Sequence, residues 1–226
     1  MPRLVGLALA LLGALATVLV WQMLRGQQDD EDRERMQRLA ERVETEFTRR
    51  LRETELSLDV IRSVALAEPA LSTARLNEYV QAAKLDTRAV GLRSLALVER
   101  VPRERLAAFE AHMRERNSPD FRVDTLGAQS EDLYVIKHVA PLARNVLAWG
   151  RDIGAEPMKR EALLRAVHGD SAALSERFTL LQDRRGLPAY LLFKPVYRFG
   201  ADPVQPRQRE QSLLAVAYAG FIMQEL

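Results

Sequence analysis

Hydrophobic positions follow three different rules along this chain. From Leu4 to Leu24 they run without a single charge, bracketed by Arg3 and Arg25. That is about the 20 residues a helix needs to cross a hydrocarbon layer of about 30 Å. From Asp29 to Leu66 the chain turns polar, yet Met36, Leu39, Val43, Phe47, Leu51, Thr54, Leu58, Ile61 and Ala65 recur at spacings of three or four. This spacing puts them on one face of a helix. No glycine or proline falls between Gly26 and Pro69, so one long stalk helix is expected, ended by Pro69.

Beyond the stalk, short helical and alternating patterns interleave. Ser72 predicts the cap of a helix reaching about Lys84, with Leu76, Tyr79, Val80 and Ala83 inward. Val90–Glu99, Phe121–Val123 and Leu133–Val139 read as strands, with a helix after Pro102 between the first two. A further helix is expected from Pro157, stopped at Gly169. The rest reads as strand: Ala173–Gln182, Ala189–Phe199 and Leu213–Met223, separated by Asp183–Pro188 and a Pro- and Arg-rich loop, Gly200–Gln211. Three successive strands with short connectors predict an antiparallel sheet, hence an α+β fold. The last run holds only about eleven apolar residues, short of the ~17 that a membrane span requires.

The N-terminal run has two readings, a cleaved signal peptide ending near Ala14-Leu15-Ala16 or an uncleaved signal anchor. It continues to Val20 and beyond, past a usual signal core of about 7–15 residues, which favours a transmembrane anchor. Trp21 suits the membrane interface. The basic residues Arg25, Arg33, Arg35 and Arg38 would by themselves place the stalk on the inner side. The stalk stripe is narrow, as expected for the seam of a homodimer, although a helix packed on its own domain would also show one.

Composition removes several functions. The chain has 33 Lys and Arg against 31 Asp and Glu, interspersed rather than in blocks, so it carries no nucleic-acid footprint. Without cysteines there is no thiol catalysis and no usual zinc framework. His112, His138 and His168 lie too far apart for a metal motif, and no cofactor motif is present. Neither a nucleophile–base pair nor a phosphate-binding glycine loop is evident, so catalysis is not expected.

The densest motif region runs from Tyr134 to Arg160. It contains Pro141-Leu142, then Asn145, Gly150-Arg151-Asp152 and Pro157-Met158-Lys159-Arg160. Ala166 and Gly169 follow, then Leu174-Ser175, Leu180-Leu181-Gln182 and Pro195-Val196-Tyr197. Together with Arg100-Val101-Pro102 and Phe109-Glu110 upstream and Gly220-Phe221 downstream, this order resembles the CHASE domain. That family is the extracytoplasmic sensory module of histidine kinases, diguanylate cyclases and adenylyl cyclases. The resemblance spans roughly Ile61 to Leu226. It implies a membrane anchor over residues 1–25, a stalk helix over 26–68 and a sensory region over 69–226. It further implies two PAS-like antiparallel-sheet subdomains, a periplasmic or extracellular location on the inner (plasma) membrane, and a small-molecule ligand. This orientation is opposite to the one the arginine count gives. The family also implies a second span and an output domain, neither of which lies within these residues. The chain is then either a fragment of a receptor or a stand-alone anchored sensor.

Plant members bind adenine-type cytokinins through a carboxylate whose place here falls near Ala143 and Arg144, where no acid stands. Arg144 would instead favour an anionic ligand, because its planar fork grips carboxylate or phosphate with two hydrogen bonds. Ser175 stands where the plant pocket has a threonine. Tyr134, Phe178 and Phe193, on strands, complete the expected ligand-binding set with Arg144 and Ser175. Asn145 and Asp152 read as turn-builders, and only one of Phe193 and Lys194 can face a pocket. An anchored interaction or scaffold protein without ligand is the alternative.

Overall fold

The computed structural model describes the backbone of residues 2–85, 91–179, 185–201 and 203–225, and side chains within those ranges from residue 36 onward. The Leu4–Leu24 side chains lie outside the described residues. Among the described residues, no helix is long and apolar enough to cross a membrane. The chain divides into two compact units, Met1–Arg49 and Arg50–Leu226.

Helix α1 (Pro2–Ala67) provides all of the regular structure of the first unit and enters the second. Pro69 follows its end. Helix α2 (Thr73–Ala82) is capped by Ser72, whose hydroxyl accepts from Arg75 N at 3.2 Å. Strand β1 (Leu92–Pro102) leads through a 3₁₀ turn into α3 (Leu106–Arg116), and β2 (Asp132–Ala140) into the one-turn α4 (Leu142–Asn145). A second 3₁₀ turn, Ile153–Ala155, precedes α5 (Pro157–Gly169). Then come β3 (Ala173–Leu174), β4 (Phe178–Thr179), β5 (Pro188–Tyr197), α6 (Pro206–Ser212) and β6 (Leu213–Ile222).

All strands join one antiparallel sheet, ordered β2-β1-β6-β5-β3, with β4 also on β5. The fold is α+β, as expected, but the described residues hold one six-stranded sheet where two PAS-like subdomains were implied. The physical reason is coverage. Both faces of this sheet are packed within the same unit, and its central strands are paired on both edges, so among the described residues no strand is left over to start a second sheet.

The period-two alternation of the strands sorts most side chains into two large cores, beside a smaller third one in which Val101, Leu133 and Val135 pack with Phe109 and Met113 of α3 and with Phe121. One face carries Leu95, Leu97, Leu192, Val196, Phe221 and the small residues Ala215, Ala217 and Ala219. Against it lie Leu58, Ile61 and Ala65 of α1 and Leu76 and Val80 of α2. The other face carries Ala96, Val98, Leu191, Phe193, Val216 and Tyr218, covered by Ala162, Leu163, Ala166 and Val167 of α5. The stalk stripe therefore splits. Thr54, Leu58, Ile61 and Ala65 are buried in the domain's own core, whereas Met36, Leu39 and Val43 stay exposed. Lys194, on the α1 face, reinforces the joint with hydrogen bonds to Glu55 at 2.8 Å and Asp59 at 2.9 Å.

Several local expectations shift. Phe121–Val123 forms no strand; the adjacent Asp124 only bridges Arg151. Ala173–Gln182 breaks into two two-residue strands around Ser175–Arg177, its last residues falling outside those described. The Pro- and Arg-rich loop contains α6, started by Pro206 and by Gln208, whose Oε1 accepts from Gln205 N at 3.1 Å. Helix α5 begins at Pro157 as expected, but its left-handed stop is Asp170 (φ 49°), with Gly169 the last helical residue.

A bulge in β2 breaks the alternation at Lys137: Ile136 pairs with Val98 and His138 with Leu97. His138 thereby turns to the α1/α2 face, buried, with Nδ1 2.9 Å from Thr73 Oγ1. Burial, aided by the charge of Lys137, pushes its pKa down to about 3. A folded-state value below the unfolded one means stability is lost as pH falls through the unfolded value of about 6.5. Wild type should lose about 2 kcal/mol between about pH 7.5 and about pH 5 through this group, a loss that His138→Gln lacks. Urea unfolding at both pH values measures it, and equal slopes for the two proteins would refute the assignment.

Candidate functional site

The turn from Pro141 to Pro157 is built by the residues of its sequence motif. Asn145 is buried, and its Nδ2 donates to Pro141 O at 2.9 Å and Arg93 O at 3.1 Å. Gly150 has φ +80°, and a Cβ there would lie 2.2 Å from Arg122 O, so no other residue fits. Asp152 is fully buried; its Oδ1 accepts from Tyr134 N at 2.8 Å and Gly154 N at 3.0 Å. Arg160 lies over the Tyr134 ring at 5.1 Å and donates to Asp132 O at 3.1 Å. Trp149 Nε1 donates to Lys137 O at 2.9 Å, tying the turn to the bulged strand.

This framework lines a half-open cavity of about 60 Å³ on the α5 face of the sheet. Its apolar wall is Ile136, Ala148, Ile153, Phe178 and Leu191. Its polar groups are Ser94, Asn145, Arg151, Glu156, Lys159 and Tyr218, with Thr179 at the side. Lys159 is committed: Nζ is 2.7 Å from Glu156 and 4.2 Å from the centre of the Phe178 ring. Tyr218 hydrogen-bonds Ser94, and burial raises its pKa well above the ordinary tyrosine range, so the phenol stays neutral. Arg151 is held by backbone on both sides, its N donating to Ala148 O and its O accepting from Ile136 N. Its Nε is buried without a hydrogen-bond partner, and its ion pair, with the exposed Asp124, spans 3.7 Å.

Of the five residues expected to bind ligand, Phe178 lines this cavity. Arg144 is exposed on α4 and is not among the lining residues. Ser175 is buried but spent on backbone, accepting from Leu191 N at 2.9 Å and donating to Glu176 O at 2.8 Å. Tyr134 lies beneath Arg160, and Phe193 packs edge-on to Tyr218 at 6.0 Å; neither is a lining residue. Sequence reasoning passed over Arg151, Glu156, Lys159, Ser94 and Tyr218. For Glu156 and Lys159 a signal existed, opposite charges three apart across the first turn of a helix. For Ser94 and Tyr218 there was none, because only the pairing of β1 with β6 brings them together.

A second crevice, of about 90 Å³, lies on the opposite face beside Ala65 and Pro69. Its charges are already matched, Lys137 with Glu99 at 2.8 Å and Glu68 with the Tyr79 hydroxyl at 3.0 Å. Among the described residues no group of His, Asp and Glu could hold a metal ion. The α5-face cavity is therefore the stronger candidate.

Desolvation raises the pKa of Asp152 above the usual carboxylate value, opposed by the two backbone hydrogen bonds. A raised folded-state value adds stability below the unfolded pKa and loses it as pH rises through the folded one. Asp152→Asn keeps the Oδ1 acceptor but cannot titrate. Acidification from neutrality towards pH ~4 should shift the stability difference in favour of wild type. Calorimetry at both pH values checks this; an unchanged difference would show that Asp152 ionises normally.

The CHASE-domain family model matches residues 69–226. No curated protein sequence matches the chain.

Proposed function

The chain belongs to the CHASE-domain family of sensory domains, and on that basis we propose that it senses a small molecule outside the cytoplasm for a membrane receptor. The output enzyme on this reading is a histidine kinase or a diguanylate cyclase, signalling through paired stalk helices anchored by the Leu4–Leu24 run. The observation that carries the proposal is the division of labour across one sheet. Strands β1, β5 and β6 face the cavity with Ser94, Leu191 and Tyr218, and face α1 with Leu95, Leu192 and Ala217. A ligand that shifts these strands acts at once on the helix clamped by Lys194.

The test is a thermal-shift screen of the full-length chain in detergent against small metabolites, repeated in Ala148→Trp, which fills the cavity. Stabilisation in wild type that disappears in the variant is expected. Stabilisation that persists in the filled variant would place binding elsewhere, and none at all would favour the scaffold reading.

Dimerisation rests on the exposed remainder of the stalk stripe, Met36, Leu39 and Val43. Because the chain lacks cysteine, Leu39→Cys should give a disulfide-linked dimer in membranes under mild oxidation, and Glu41→Cys, about 200° around the helix, much less. Equal cross-linking at both positions would reject the seam.

A further inference from the structure

From the charge and size of the α5-face cavity we infer that its ligand is a short monocarboxylate seated on the Arg151 guanidinium. The inference rests on the sensing reading of this cavity and adds the chemical class. Of the charged groups that line the cavity, Glu156 and Lys159 neutralise each other at 2.7 Å. Arg151 is left. Among the described residues its side chain donates no hydrogen bond; its buried Nε has only an ion pair, 3.7 Å long, with Asp124, whose side chain is 61 % exposed. A buried cationic donor without an acceptor is costly, and an anion supplies the missing bonds in a charge-assisted pair.

The walls choose among anions. Ile136, Ile153, Leu191 and Phe178 surround the remaining space. A phosphate or sulfate would leave oxygens desolvated against these side chains, whereas a carboxylate turns its carbon tail towards them. The volume, about 60 Å³, holds about four to six water-sized atoms. That size suits acetate, propionate, lactate or pyruvate. One cation without a hydrogen-bonded partner matches one carboxylate. The backbone bonds on both sides of Arg151 fix where its side chain starts, so the cation is pre-positioned. Ligands this small bind with dissociation constants no better than about micromolar.

The full-length chain in detergent is titrated with propionate, lactate and pyruvate, and in parallel with propionamide, ethylamine and inorganic phosphate. Thermal shift and saturation-transfer NMR on the probe are the readouts. At least one carboxylate should bind saturably and the other three probes should not. Arg151→Met should weaken that binding at least about tenfold. Arg151→Lys, which keeps the charge but not the fork, should weaken it less and guards against a folding defect in the first variant. Propionamide binding as tightly as propionate, phosphate binding alone, or full affinity in Arg151→Met would overturn the proposal. If neutral or cationic metabolites instead stabilise the protein and lose that effect in Ala148→Trp, the carboxylate assignment fails while the sensing reading stands. If no metabolite of any class binds, both fail.

Discussion

The structure depends on the two-residue period of three neighbouring strands, β1, β6 and β5. Each sends alternate side chains to opposite faces, so one sheet serves two large cores without any side chain belonging to both. The α1 face is lined by alanines along the middle strand, which leave room for Leu58, Ile61 and Ala65. The α5 face is lined by larger residues and borders a small cavity. A change in strand position cannot be felt on one face alone, because the backbone is shared and the interior is close-packed. The bulge at Lys137 is the one place where β2 departs from this rule. It lets the strand present Ile136 to the cavity and His138 to the opposite face.

The motif between Pro141 and Arg160 takes on a different meaning once its bonds are traced. Gly150, Asp152, Asn145 and Arg160 spend their hydrogen bonds and their conformational freedom on the turn itself. They make a rigid rim. The side chain left without a hydrogen-bonded partner is that of Arg151, which occupies the unspecified middle position of Gly-x-Asp. A turn held this firmly presents a single side chain at a defined point while its neighbours are consumed by the holding.

Much of the fold was legible from local rules. Ser72 caps α2 and Pro157 starts α5 because capping and proline chemistry act within a few residues. Helix α6 escaped notice because a proline-rich stretch also reads as loop. The candidate site was less legible. Arg144 and Arg151 are equally polar in sequence, and only the path of the turn leaves the first exposed and sets the second among the residues lining the cavity. Ser175 kept its hydroxyl, but that hydroxyl is consumed by the backbone of Leu191 and Glu176.

The sequence alone determined most of the helices and strands, the long stalk helix and its end at Pro69, and the family to which the chain belongs, because each follows from short-range periodicity or ordered motifs. Tertiary structure decided that the described strands form one sheet, that the stalk stripe divides at about Thr54 into a buried and an exposed part, and which cations line the cavity. Those outcomes depend on which strands pair and in what register. Pairing joins residues more than a hundred positions apart, such as Ser94 and Gly220, and no local pattern encodes such a partner.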